Sequence, residues 1–155
     1  MIRTYANTKA ELNIAEERLN ILMSRKEELY VKFFPLSAKI SDAPAHTNKL
    51  TDAMAGYVAE LTKVNPVTKM SLDSEITEAR NNRDKLEYYL KRMEINLKST
   101  TGIENELFYK IVVEGYRPTK AVNNIAEKYN KEPETIWKYY YPKIKKEILK
   151  CIVNV

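Results

Sequence analysis

Residues 71–98 read SLDSEITEARNNRDKLEYYLKRMEINLK, and within them Leu72, Ile76, Ala79, Arg83, Leu86, Leu90, Met93 and Leu97 stand at spacings of 4, 3, 4, 3, 4, 3 and 4. Alternating three and four keeps one side of an α-helix apolar, whereas a half-buried strand needs a period of two. The spacing predicts a helix over about 71–98. Ser71 offers the hydroxyl of an N-cap, and Asp73 and Glu75 place negative charge where the helix dipole is positive. Beyond it, Ser99-Thr100-Thr101-Gly102 punctuates the chain, with Gly102 suited to a helix C′ position or a hinge.

A second seam lies near the start. From about Tyr5 to Phe34, Leu12, Ala15, Leu19, Leu22, Lys26, Leu29 and Phe33 recur at the same spacing. Lys26 is its polar member; the stem can lie along apolar surface while the ammonium reaches water. Phe34-Pro35 ends this helix, because a residue before proline is driven out of the α region. Two long seams imply an antiparallel hairpin or a coiled coil between chains, hence a homodimer through the N-terminal helices. Burying about eight side chains per helix at roughly 1.5–3 kcal/mol each drives either. Between the seams, a polar linker near 35–48 carries Ser37, Ser41, Asp42, Pro44 and His46. A shorter helix is predicted over about Asn48 to Val64, with Leu50, Met54, Tyr57 and Leu61 on one face and Asn65-Pro66 as its stop.

Composition agrees with an all-α chain. The 155 residues include only three glycines, with 44% hydrophobic and 30% charged residues, which permits a real core and disfavours Gly-loop nucleotide folds. No apolar run approaches the roughly 18–20 residues that span a bilayer, so no membrane partner is expected. The first residues lack a signal-peptide apolar region, and the lone Cys151 has no disulfide partner; both fit a cytoplasmic protein. One cysteine and one histidine cannot build a structural zinc site, and neither metal nor other cofactor is expected.

After Gly102 the pattern changes, so the chain divides into a helical region, 1–102, and a C-terminal unit, 103–155. Lys plus Arg outnumber Asp plus Glu by sixteen to fourteen in the first and by ten to seven in the second. Three short helices are predicted. Glu104 to Glu114 carries Leu107, Phe108, Ile111 and Val112 and ends at Gly115. Thr119 to Tyr129 carries Ala121, Val122, Ile125 and Ala126. The third opens at Pro133, well placed for the first helical turn, and carries Ile136, Tyr140, Ile144 and Ile148.

Helix, helix, short polar turn and basic helix make a helix-turn-helix pattern, whose last element would enter the major groove of double-stranded DNA. With Ile136 and Tyr140 inward, the outer side offers Thr135, Lys138, Tyr139, Lys143, Lys145 and Lys146 to phosphates. It holds no arginine or glutamine, so bidentate base reading is poorly supplied and backbone contact dominates. The aromatic run Trp137 to Tyr141 could stack on bases, although packing is favoured for Trp137 and Tyr140. Pro142 withholds an amide from the helical ladder, which predicts a kink or break near Tyr141, with Pro142 opening a following helical segment. The bland counterpart is a three-helix packing unit whose last helix is solvated by its lysines.

The layout resembles the small phage-encoded ArpU/RinA-like transcriptional regulators, whose C-terminal helix-turn-helix is similar to sigma region 4. The stretches that carry the resemblance are Phe34-Pro35-Leu36-Ser37, Lys49-Leu50-Thr51-Asp52-Ala53-Met54, and Ile125-Ala126-Glu127-Lys128-Tyr129 before Glu134-Thr135-Ile136. The resemblance implies a DNA-binding transcriptional regulator, with RNA polymerase or another host protein as a further partner. Asn65-Pro66 and Pro142 depart from the family's continuous helices. The alternative is a phage-type helical module that inhibits or tethers a host protein.

Catalytic signatures are missing from the sequence. His46 has no neighbouring carboxylate or cysteine, and Cys151 follows Lys150, which would lower its pKa, but sits near the end of the chain without a supporting shell. There is no Walker loop, dinucleotide fingerprint or HExxH, and pairs such as Glu16-Glu17 and Glu27-Glu28 lie on exposed helical faces. The expectation is a protein that is not an enzyme.

Overall fold

The computed structural model describes residues 1–35 and 46–152. They form α1 (Ile2–Phe33), α2 (His46–Thr62), α3 (Leu72–Ser99), α4 (Ile103–Phe108), α5 (Pro118–Lys128), α6 (Pro133–Thr135) and α7 (Tyr141–Ile152). Single π-helical turns extend α4 (Tyr109–Val113) and join α6 to α7 (Ile136–Tyr140). Among the described residues there is no strand, only an isolated antiparallel bridge between Val64 and Ser71. The fold is all-α. Most of the expected linker, 36–45, lies outside the described residues. His46, expected in that loop, is instead the first residue of α2.

The chain divides into two compact units, Ala15–Arg83 and Met1–Ile14 with Asp84–Val155. In each, α1 runs antiparallel to α3. Within the first, Met23 Sδ lies 3.9 Å from an Arg80 nitrogen and Lys26 Nζ lies 3.7 Å from Asp73. Within the second, Thr100 Oγ1 is 3.9 Å from Met1 Sδ and the Tyr5 hydroxyl donates to Glu94 at 2.8 Å. As one helix ascends, its partner descends. The two seams thus pair inside one chain, which answers the alternative that the sequence left open. Their buried members are those the spacing selects: Leu19, Leu22, Ile76 and Ala79 in one unit, Leu12, Leu90 and Leu97 in the other.

Local chemistry sets the ends. The Ser71 hydroxyl accepts the Ser74 amide at 3.2 Å, capping α3 as expected. The turn before it is tight: Asn65 and Met70 share a backbone hydrogen bond of 2.9 Å, and the Asn65 side chain accepts the Val67 amide at 2.8 Å. In the same unit, Gly56 lets α2 approach α1; a Cβ there would stand 2.7 Å from the Phe33 ring. Tyr57 then packs edge-on against Tyr30, Phe33 and Phe34. Gly102 precedes α4 as its N-cap at φ 133°, rather than following α3 as a C′ residue, and only glycine adopts that angle without strain.

The C-terminal helices share one core with the ends of the hairpin in their unit. Leu107, Phe108, Val122, Ile125 and Ile136 are fully buried together with Tyr5, Ala6, Leu90 and Leu97. The π turns are the main surprise. Glu114 donates its amide to Tyr109, and Tyr141 donates to Ile136, each five residues back instead of four. Hence the chain does not leave the helical path near Tyr141, but the regular ladder is interrupted there and α7 opens with Pro142 in its first turn, as expected. Tyr141 keeps helical angles (φ −58°, ψ −42°), and the ladder widens just before Pro142, the residue with no N–H to give.

Candidate nucleic-acid interface

The turn between α5 and α6 aims the basic helix. α5 begins with Pro118 in its first turn and ends where Asn130 takes left-handed angles at φ 49°. Lys131 then returns its amide to Ala126 at 2.9 Å, closing the helix end as a glycine would. Pro133 starts α6 with its φ already helical. Ala126, 2% exposed, is small enough for α5 and the next helical run to meet closely. Ile136, Ile144, Ile148 and Cys151 turn inward, with Trp137, Tyr140 and Tyr141 packed partly against the same core. Trp137 stacks edge-on with Tyr141 at 4.6 Å. That inward set turns the lysines outward.

The six residues expected to touch phosphates do not share one environment. Lys138, Lys145 and Lys146 are exposed, and no carboxylate of the described residues pairs with them. Tyr139 is 56% exposed, with the Lys138 ammonium 5.5 Å from its ring centre. Thr135 is half-buried beside exposed Glu132 and Glu134, whose charge opposes an approaching phosphate. Lys143 is exposed but engaged: its Nζ sits 2.8 Å from Glu104, and that hydrogen bond holds its pKa above the ordinary lysine value. At 100° per residue along α7, Lys145 and Lys146 stand on either side of a strip containing Pro142 and Leu149, so they straddle the outer face. Four of the six offer an available group; Lys143 and Thr135 are compromised.

Nearby ion pairs brace the unit. Glu106 accepts from Lys128 at 2.6 Å and from the Tyr129 hydroxyl at 2.7 Å, while that hydroxyl accepts the Gly102 amide at 3.2 Å. Burial alone would raise the Glu106 pKa, but the Lys128 and Tyr129 hydrogen bonds outweigh it and hold the carboxyl below its usual range. A second cationic spot was not expected from spacing. The Lys110 and Lys120 ammonium groups lie 5.1 and 4.6 Å from the Tyr116 ring centre, next to exposed Arg117. These lysines lie on different helical elements, so no single periodicity joins them. A cation-rich stretch around an aromatic, Tyr116-Arg117-Pro118-Thr119-Lys120, was the available signal.

Cys151 is a packed thiol, and the lowering effect of Lys150 does not prevail. Burial dominates over the nearby Lys9 and Lys150 and pushes the thiol up to about 11. Among the described residues, no group of three or more His, Cys, Asp or Glu is placed to hold a metal ion. None of the described helices is long and apolar enough to cross a membrane. Comparison with protein-family models, with curated proteins and with solved structures finds no match to this chain.

Proposed function

We propose that this chain is a DNA-binding transcriptional regulator of phage or mobile-element type, acting in the cytoplasm, in which α5, the turn at Asn130 and the helical run from α6 to α7 act as a helix-turn-helix. One observation carries the reading: Lys138, Lys145 and Lys146 project from that run without carboxylate partners among the described residues, beside an exposed Tyr139. A phosphate backbone would supply the counter-charge that the described residues do not give these ammonium groups. The absence of arginine and glutamine on the run favours backbone contact over base reading. Lys120 beside Tyr116 adds positive charge in the same unit, whereas Lys110 is offset by Glu114 at 3.6 Å. RNA polymerase or another host protein is the further partner that the ArpU/RinA-like resemblance implies.

Binding to duplex of random sequence, measured against salt, tests this. With three or four phosphates neutralised, log K should fall against log salt with a slope of about −3 to −4. Lys138→Ala, Lys145→Ala and Lys146→Ala together should reduce that slope by about 3 while leaving the helical circular-dichroism spectrum intact. An unchanged slope in the triple variant removes the proposed surface.

The second reading is a helical module that binds and inhibits or tethers a host protein. It is favoured by α3, where Tyr88 and Ile95, 58% and 68% exposed, lie seven residues apart on one side of the helix. The Arg92 guanidinium sits 5.9 Å from the Tyr88 ring, as in aromatic-and-arginine contact surfaces. Salt-independent failure to bind any duplex, with retained capture of a host protein through Tyr88, would favour it.

A further inference from the structure

α2 has two apolar sides, and the described residues of α1 pack on one of them. Ala53, Gly56, Tyr57 and Leu61 are the less exposed side, where Tyr57 and Gly56 meet the aromatic rings of α1. On the other side Thr51, Met54, Ala55, Val58, Ala59 and Thr62 are all exposed, Met54 at 50% and Val58 at 46%. Five of them, Thr51 through Ala59, line a shallow apolar groove of about 720 Å³. The stripe contains no charge, so it is not a nucleic-acid surface.

From this geometry we propose that α2 docks antiparallel on α2 of a second copy of this chain. The stripe is complementary to itself in an antiparallel register. When residue 55 faces the partner's residue 58, Met54 meets Ala59 and Val58 meets Ala55, so each large side chain finds a small one, and Thr51 meets Thr62. Interfaces that interleave large and small side chains approach interior packing density. Charge agrees with the same register. At 100° per residue, Asp52 and Lys63 fall within about 20° of each other along one edge of the stripe. In an antiparallel pair that edge faces its own symmetry copy, which brings Asp52 of each chain beside Lys63 of the other, twice. Lys63 is available for this: among the described residues its ion pair is an exposed one with Glu60 at 3.8 Å. A parallel pair would place those edges on opposite sides of the interface, losing the Asp52–Lys63 pairing, and would set Met54 against Met54. One short helix from each chain belongs with small, transient interfaces below about 1,200 Å², so association is expected in the micromolar range or weaker. This dimer does not depend on DNA binding.

Sedimentation of the full chain over about 10 µM to 1 mM should show the mass rising from 18.1 kDa toward twice that value. Val58→Asp, at an exposed position, should hold it at one chain across the range with an unchanged circular-dichroism spectrum. Orientation is read by disulfide trapping. Mixed Met54→Cys and Ala59→Cys chains should cross-link, whereas Met54→Cys alone should not, since antiparallel packing offsets those two sites by roughly 7 Å along the axis besides the gap between helices. Native Cys151, buried and with its thiol pushed up to about 11, does not compete. A mass fixed at one chain at every concentration, dimers of Val58→Asp as stable as the parent, or efficient cross-linking of Met54→Cys alone would each overturn the proposal.

Discussion

Cys151 shows how burial overrules a neighbouring charge. Lys150 and Lys9 favour the thiolate, but desolvation on the inner side of α7 costs more, and the thiol is held at about 11. Iodoacetamide at pH 8 should therefore modify it about 100-fold more slowly than a free cysteine, in line with the loss of thiolate; mass spectrometry of timed samples reads the rate, and labelling at the free-thiol rate would contradict the assignment. The same shift couples to stability. Because the folded state holds this proton more tightly, the unfolded chain releases it first as pH rises past about 9, and stability falls until about 11. Tyr5 adds to the trend above pH 10: burial and its hydrogen bond to Glu94 raise its pKa, so it too is lost to the unfolded state as pH rises. Melting temperature should drop between pH 9 and 11, and less steeply in Cys151→Ala. The chain itself favours a packed or idle thiol; that burial outweighs both Lys9 and Lys150 is a property of the packed core.

At the level of helices, caps and spacings were the readable part. Ser71 sits before Leu72 with its hydroxyl on the Ser74 amide, so Ser71→Ala should cost about 1 kcal/mol, measured by chemical denaturation. A variant with parent stability would show that the cap contributes nothing. The π turns were less visible, although their signature is present. Ile136, Tyr140, Ile144 and Ile148 repeat every four residues, and three turns of α-helix account for only about 10.8 of those twelve positions. One extra residue must be absorbed somewhere, and the turn before Pro142 is where losing an amide costs least. Ile103, Leu107 and Ile111 repeat every four as well, and α4 likewise runs into a π turn. The missing amide of Pro142 pointed to where a new helical segment opens, whereas the form of the junction, a π turn, follows from the period of the inward side chains.

For the molecule as a whole, the significant fact is which residues share a core. Leu107 and Phe108 of α4 are buried among Tyr5 and Ala6 of α1, Leu90 and Leu97 of α3, and Ile136 and Ile148 of the last helical run. A fragment of residues 103–152 would leave those inner sides facing water. It should melt well below the full chain in calorimetry, and Leu107→Ala in the full chain should cost about 2–5 kcal/mol. A fragment as stable as the parent would mean that the hairpin contributes nothing to this core. The candidate interface depends on the same packing: the lysines face outward because Ile136, Ile144, Ile148 and Cys151 face inward.

By itself, the amino-acid order determined the helices, most of their ends and the two seams, because helical periodicity and capping are local and act within a few residues. It also placed an excess of lysine on the last helical run. Tertiary structure alone decided that the seams pair within one chain, that Lys143 is occupied by Glu104 while no carboxylate of the described residues pairs with Lys138, Lys145 or Lys146, and that Met54 and Val58 on α2 stay exposed. Those outcomes depend on groups far apart in the chain brought within a few ångströms, and no local pattern encodes which of several apolar or charged partners will be the one that packs.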